Sequence, residues 1–546
     1  MTPILLLCGI VCIVCILSNK LSAKIGVPAL LVFILLGMLF GSDGLFRIQF
    51  SDYNITNQIC TIALIFIMFY GGFGTNWKVA RPVAPQAILL SSLGVIITAV
   101  LTGLFCHFVL RMTLLEGLLI GAIISSTDAA SVFSILRSKK LNLKHGLASM
   151  LEIESGSNDP TAYMLTVILL TLMGPGGDTP FWYLIFSQVV YGLAIGFGLA
   201  FASAFLLKHI RLGNSALHMI FMVGIALVAY ALPTMIGGNG FLSVYITGIV
   251  LGNSKIRHKV ELAHFFDGFT WIMQIALFFI IGLLSFPSQI PQILLPAIAI
   301  ALFLTFVSRP VAVFSILTPF RTPLRQQTLV AWSGLRGAAS IVFAIYAVVS
   351  NAYTSNDLFH IVFCVALLSV AIQGTLLPPL ARKLGLVDDS DTVLKTFTDY
   401  QGLSQMQLID IPVIEGHPWT GQKIKDLGLP GGILIIMLRR KNKSLIPKGD
   451  TLVKTGDVLV LSATPFVGED DYVLSEEYIT KKHHWYFQPV KNIHLPEGSF
   501  VLMIKRDGYE FVPNRDTIVL ADDTVVISDE AQSAPPPIKR RRKRHK

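Results

Sequence analysis

Thirteen apolar runs, bounded by glycine, proline or basic residues, fill the first 385 residues of the chain. They lie at roughly 3–18, 27–42, 59–73, 83–110, 117–136, 147–173, 181–207, 216–235, 239–252, 262–285, 291–316, 328–350 and 359–381. A helix that crosses a bilayer needs about 20 predominantly apolar residues, and a series of such runs has no counterpart in a water-soluble core. Over all 546 residues, 53% are hydrophobic and 14% charged, where a soluble domain carries about 25% charged residues. A soluble globule and a disordered chain are thereby excluded. The six cysteines, Cys8, Cys12, Cys15, Cys60, Cys106 and Cys364, all fall in apolar runs and read as small core residues, not a disulfide framework. No basic segment precedes the first run, which is expected to be a retained helix rather than a cleaved leader.

Charge in the joints gives the expected orientation. Alternate joints hold Lys20, Lys24, Lys78, Arg81, Arg137, Lys139, Lys140, Lys144, Lys208, Arg211, Lys255, Arg257, Lys259, Arg321, Arg325, Arg382 and Lys383, 17 basic residues in all, whereas the other joints hold Arg47 and Arg111. Cytoplasmic loops collect Lys and Arg, so the N-terminus is expected outside and the C-terminus inside. A single miscounted run would destroy the alternation.

A few charges stay inside the runs: Asp128, Glu154, Asp159, Arg309 and Arg336. A charge at the bilayer centre costs about 2.5–3.5 kcal/mol on insertion scales, so each needs a partner, water or a proton. Asp128, Asp159 and Arg336 each lie roughly 12–15 Å below one end of their helix at ~1.5 Å per residue. The sixth run reads Glu154-Ser155-Gly156-Ser157-Asn158-Asp159-Pro160. Ser155, Asn158 and Asp159 share one helical face, and Pro160 leaves the Gly156 carbonyl without its N–H partner. A carboxylate, an amide, a hydroxyl and a carbonyl are oxygen ligands for a hard monovalent cation. The fifth run is interrupted by Ser125-Ser126-Thr127-Asp128 and the twelfth by Ser333-Gly334-Leu335-Arg336-Gly337. Interrupted helices in two halves of a transporter point to its binding site. Glu152 reads as interfacial, Asp267 as a cap of the tenth helix and Arg309, before Pro310, as structural.

Ser-Thr-Asp-Ala-Ala-Ser at 126–131, Glu-Ser-Gly-Ser-Asn-Asp-Pro at 154–160 and Gly-Leu-Arg-Gly-Ala at 334–338 resemble the bacterial monovalent cation/proton antiporters with an Asn-Asp motif, in particular the NhaP-type potassium/proton branch. The resemblance spans residues 1–385. It implies a polytopic α-helical membrane protein of about 13 helices with inverted repeats, a dimerising domain, a mobile core domain, and unwound fifth and twelfth helices that cross. It further implies that Asp159 binds cation or proton in turn, that Thr127, Ser155 and Asn158 line the cation site with Asp128 near the crossing, and that Glu154 pairs with Arg336 as a structural ion pair. One cation is then exchanged per proton. The competition follows from general physics, since a buried carboxyl favours its proton and a bound cation displaces it. K⁺ is the leading substrate and Na⁺ the alternative. A ligand-gated cation channel is disfavoured by the missing Thr-Val-Gly-Tyr-Gly filter, and an intramembrane enzyme by the missing His-Glu-x-x-His and Gly-x-Ser-x-Gly patterns.

Residues 386–401 read as a polar linker. Beyond it the sequence repeats at a constant offset of 66 residues, with 16 identities in the 46 positions from 417 to 462, among them His417/His483, Trp419/Trp485, Arg440/Arg506 and Asp457/Asp523. This is a tandem duplication, read as two small α/β modules at 402–465 and 466–530, with a helix expected at 419–427. Gly416 and Gly421 of the first copy are missing from the second. The modules resemble the TrkA-C type of regulatory domain, which implies dimerisation and a small regulatory ligand. With no Gly-x-Gly-x-x-Gly, no bound NAD and no other cofactor is expected. Arg439, Arg440, Lys505 and Arg506 are candidates for meeting an anionic ligand. The tail at 531–546, Pro535-Pro536-Pro537 followed by seven basic residues in Lys539–Lys546, is expected to be disordered and to touch anionic lipid, with no nucleic-acid partner.

Overall fold

The computed structural model describes residues 2–25, 29–139, 141–174, 180–209, 215–256, 258–350, 355–388, 407–413, 417, 419–427, 429, 434–440, 443–463, 472–495, 500–506, 509–511, 513 and 515–530. The chain divides into two compact units, residues 1–402 and 403–546. Most of the linker and the whole tail lie outside the described residues.

In the first unit every apolar run is helical. The helices are Thr2–Ile25, Ala29–Phe40, Tyr53–Gly74, Ala84–Phe108, Leu114–Ile124 with Ala129–Ser138, Leu147–Met173, Phe181–His209, Ser215–Met235, Gly240–Asn253, Lys259–Leu284, Pro287–Leu317, Leu324–Trp332 with Ala338–Val349, and Leu358–Lys383. They are numbered 1 to 13 below. Among the described residues seven of them, helices 3, 4, 7, 8, 10, 11 and 13, are long and apolar enough to cross a membrane by length and composition alone. Helix 6 has 27 residues but carries Glu152, Glu154 and Asp159. Only helices and closed barrels satisfy every backbone group in lipid, and Val-, Leu- and Ile-rich runs of this length have no other solution. Helix 3 begins six residues earlier than its apolar run, because Asp52 caps a polar first turn by accepting the Ile55 N–H at 2.9 Å.

Helix 2 packs on helix 10 and helix 9 on helix 3. Backbones approach closely there through small residues, Gly37 against Gly282 and Gly72 against Gly248. The two contacts interchange when the helix number shifts by seven. The same shift carries the break in helix 5 onto that in helix 12, and the π-helical turn Leu90–Gly94 of helix 4 onto Leu304–Ser308 of helix 11. A shift by an odd number of helices reverses direction across the membrane, so the pattern is that of inverted repeats.

One of the expectations for lone charges changes here. Asp267 sits inside helix 10 and not at its end, and the Tyr70 hydroxyl donates to it at 3.2 Å. The chain leaving helix 13 is pinned by a two-residue antiparallel ladder of Val387 and Asp388 with Leu143 and Asn142, so the start of helix 6 and the end of helix 13 share one face of the unit.

The second unit contains two four-stranded antiparallel sheets of identical order. One runs Gln407–Pro412, Val458–Ala463, Leu434–Arg440, Lys443–Leu445, and the other Tyr472–Tyr478, Thr524–Glu530, Phe500–Arg506, Tyr509–Phe511. Every strand obeys the 66-residue offset, as do the bulges between Ile435 and Met437 and between Val501 and Met503. The segment expected to be a helix at 419–427 forms only a 3₁₀ turn at Ile424–Asp426. Its backbone N–H groups go sideways instead, Gly421 to Val453 O, Ile424 to Thr451 O and Lys425 to Gly449 O. Gly421 adopts φ +80°, and its counterpart Phe487 keeps the left-handed conformation at φ +60°, which is costly for a bulky side chain.

The four basic residues proposed for an anionic ligand are engaged within the modules. Arg440 donates two hydrogen bonds to buried Asp457, both 2.7 Å, and Arg506 does the same to Asp523. Arg439 meets Asp410 at 3.3 Å and Lys505 meets Glu476 at 2.8 Å. Arg440 and Arg506 act as internal clamps on buried carboxylates, whereas Arg439 and Lys505 form exposed surface pairs. The Arg440 guanidinium, by hydrogen bonding, holds the Asp457 carboxyl below the usual carboxylate range. A depressed folded-state pKa stabilises the fold above the unfolded value near 4, and that contribution disappears as pH falls through the folded value. We predict that Arg440→Ala costs about 2–3 kcal/mol at pH 7, measured by thermal unfolding of a fragment spanning residues 403–546. The gap between variant and parent should shrink at acid pH; a gap independent of pH would refute the ionic account.

Candidate functional site

Helix 5 stops at Ile124 and resumes at Ala129, and helix 12 stops at Trp332 and resumes at Ala338. The two unwound segments meet, with the Asp128 N–H donating to Leu335 O at 2.8 Å. Four serines and threonines and two glycines in these stretches lower helix propensity, and each broken end leaves backbone groups to satisfy. The carbonyls at the end of the first half of helix 5 are satisfied by Arg336, whose Nη1 donates to Ser125 O and Ser126 O at 2.8 Å each. A buried guanidinium at a helix C-terminus opposes the negative end of the dipole. Asp128 caps the second half, accepting from Ser131 N at 3.3 Å and Ser131 Oγ at 2.6 Å. The Gly-Leu-Arg-Gly motif is explained by space. A Cβ on Gly337 would overlap the Asp128 carboxyl group, and one on Gly334 would lie 2.7 Å from Arg309 Nε.

Helix 6 passes beside this crossing. The Ser126 hydroxyl donates to Asp159 Oδ1. Ser155 Oγ donates to Thr127 O at 2.7 Å, and Asn158 Nδ2 to Thr127 Oγ1 at 2.5 Å. Asn158 is fully buried and its Oδ1 accepts no hydrogen bond. Thus Asp159, Asn158, Ser155 and Thr127 are gathered in one place, with Asp128 on the other side of the unwound strand against helix 12. Asp159 itself is half-buried, not sealed. Ser126, part of the broken segment but not singled out from the sequence as a site residue, is the direct partner of Asp159. An oxygen-rich cluster with one carboxylate and an unused amide oxygen can hold a hard monovalent cation or, at the same carboxylate, a proton.

The expected pairing of Glu154 with Arg336 is corrected. Glu154 Oε1 accepts from Arg309 Nη2 at 2.5 Å, and both side chains are buried. Arg336 is committed to the helix 5 carbonyls and, through its backbone N–H, to Ser369 Oγ at 3.1 Å. Arg309 follows directly on the π-helical turn of helix 11 and lies over the side-chain-free surface of Gly334, which places it against helix 6. Glu152 is only partly buried.

Comparison with known proteins agrees with this fold. Residues 9–383 match the family described as sodium/hydrogen exchanger, transmembrane, and residues 408–465 match the TrkA-C domain. The chain is 34% identical over 477 residues to the K(+)/H(+) antiporter NhaP of Alkalimonas amylolytica, covering 86% of this chain and 83% of the relative. It is also 34% identical over 452 residues to the K(+)/H(+) antiporter NhaP2 of Shewanella baltica (strain OS223), covering 82% and 78%. The structure of the sodium proton antiporter MjNhaP1 from Methanocaldococcus jannaschii superposes with a TM-score of 0.61 at 22% identity, covering 67% of this chain and 98% of that one. The fold and the family together define a membrane transporter, not an enzyme. The chain belongs to the sodium/hydrogen exchanger family, as a cation/proton antiporter of the NhaP type.

Proposed function

We propose that this chain exchanges K⁺ for H⁺ across a bacterial cell membrane by competition of the two at Asp159. The observation that carries this reading is the setting of that carboxylate, half-buried in helix 6 beside two unwound segments and bonded to Ser126. Thr127, Ser155 and Asn158 complete a cation site, and the free Asn158 oxygen supports it. Asn158 is neutral, so the site has one titrating carboxylate. It is electrically neutral when loaded with either ion, and exchange is then one for one. If reorientation requires a loaded site, flow of one ion down its gradient drives the other uphill. The relatives named as K(+)/H(+) antiporters support K⁺. The 17-to-2 distribution of basic residues supports an external N-terminus and cytoplasmic modules. A homodimer with the modules as regulators completes the proposal.

Everted vesicles loaded with a pH dye test it. K⁺ is expected to collapse an imposed pH gradient more readily than Na⁺ or Li⁺, and removal of residues 390–546 to change the dependence of that rate on the pH of the medium, which bathes the cytoplasmic face of everted vesicles. Equal or greater response to Na⁺ would move the assignment to sodium. An unchanged pH profile after truncation would remove the regulatory role.

A further inference from the structure

Helix 6 carries a second polar level nearer the face that bears the 142–143 and 387–388 ladder. Glu152, Gly156 and Asp159 follow one another at spacings of four and three, hence on one side of the helix. Tyr245 of helix 9 is laid against this side. It is 3% exposed, and its phenol lies so close to Gly156 that a Cβ there would stand 2.6 Å from Oη. That hydroxyl is buried without a hydrogen bond of its own, although the hydroxyls of Ser157 and Thr75 stand near it. Both carboxylates, Glu152 and Asp159, lie within its electrostatic reach. A buried hydroxyl left unbonded costs about 1–3 kcal/mol, and aromatic packing alone would be served as well by phenylalanine. The tight seat on Gly156 holds the oxygen at a fixed level of the helix.

We propose that the Tyr245 hydroxyl, with those of Ser157 and Thr75, forms a second binding station for a partly dehydrated alkali cation between Glu152 and Asp159. The station rests on the reading of Asp159 as the exchange site and adds the step before it. Three neutral oxygens replace part of the hydration shell of the cation while the two carboxylates supply the field on either side. Stepwise replacement of water by weak neutral ligands lets an ion enter a site without being trapped short of it. Tyr245 is therefore an entry and specificity residue, with the charge carried by others. Its position against helix 6 comes from helix 9, whose backbone is pressed on helix 3 at Gly72 and Gly248.

The test uses the full chain in vesicles and reads half-saturating K⁺ and Na⁺ separately from maximal rate. Tyr245→Phe keeps the ring and removes the oxygen. Loss of one ligand to a charged species raises half-saturating K⁺ about fivefold to tenfold, with the maximal rate within about twofold and the K⁺ to Na⁺ preference altered. Ser157→Ala shifts the same parameter in the same direction and covers the case of a poorly folded Tyr245 variant. A purely structural role would lower yield and maximal rate together and leave half-saturation in place. Asp159→Asn is run alongside. If it is inactive while Tyr245→Phe and Ser157→Ala both keep the parental half-saturation, the second station is wrong and the exchange site stands. If Asp159→Asn remains active, the underlying reading fails first.

Discussion

Vesicles carrying Asp159→Asn are expected to show no cation-dependent proton movement above vesicles that lack the protein. Asparagine is nearly isosteric with aspartate, so the Ser126 contact and the packing of helix 6 persist, but the side chain can neither take up a proton nor neutralise a cation. A single half-buried carboxylate is worth far more to a partly dehydrated cation than any of its neutral neighbours, since an ion pair at contact in a medium of effective dielectric 20 is worth about 4 kcal/mol. The neighbours Thr127, Ser155 and Asn158 are already tied to one another by hydrogen bonds and hold no second exchangeable proton. The expected loss is therefore complete rather than graded. Replacement of Asp128 makes the contrast. That carboxylate is used by Ser131 at the head of the second half of helix 5, and its loss is expected to impair the crossing without erasing the chemistry. Dye quenching and recovery at several K⁺ concentrations measures both variants. Robust exchange by Asp159→Asn would remove the competition mechanism altogether.

Much of this arrangement is legible in the sequence because the bilayer is an unforgiving solvent. Long apolar runs can only be helices there, so the thirteen segments and the two breaks follow from composition, Gly and Ser placement, and buried charge. What composition does not carry is which buried charge meets which. Measured from the helix ends now defined, Glu154 lies about 10 Å into helix 6 and Arg309 about 12 Å from the end of helix 11, while Arg336 lies beyond the first half of helix 12, which by itself spans about 12 Å from Leu324 to Trp332. Alternation of direction puts all three distances on the same side of the membrane, and depth alone matches Glu154 to Arg309. The motif around Arg336 drew attention to the wrong cation. Tyr245 left no such trace, since a tyrosine in an apolar run is ordinary and only the three-dimensional contact with Gly156 makes its hydroxyl notable. In the modules, the repeat was visible as identities at a fixed offset. The failed helix at 419–427 was not, because the competing hydrogen-bond acceptors come from the segment around residues 449–453.

The corrected pair carries the second large prediction. Arg309→Ala leaves the Glu154 carboxylate buried and without its guanidinium, and removal of one member of a buried pair costs about 3–5 kcal/mol. The expected result is a sharp fall in folded protein in detergent and a lower melting temperature by fluorescence-detected size exclusion. Glu154→Gln is expected to be equally harmful, because it strands Arg309 beside Gly334. The double variant Glu154→Gln with Arg309→Gln removes both charges and keeps a hydrogen-bonding couple of similar length. Since the desolvation cost of two buried ions often equals or exceeds their attraction, the double variant should recover a large part of the loss, a coupling well above the few tenths of a kcal/mol seen between independent sites. Arg336 gives the control. Its replacement by alanine exposes the Ser125 and Ser126 carbonyls at the unwound strand, and this defect is expected to add to that of Glu154→Gln instead of being rescued by it. Additive losses for Glu154 and Arg309, together with rescue between Glu154 and Arg336, would restore the pairing read from the motif and overturn the one seen in the structure.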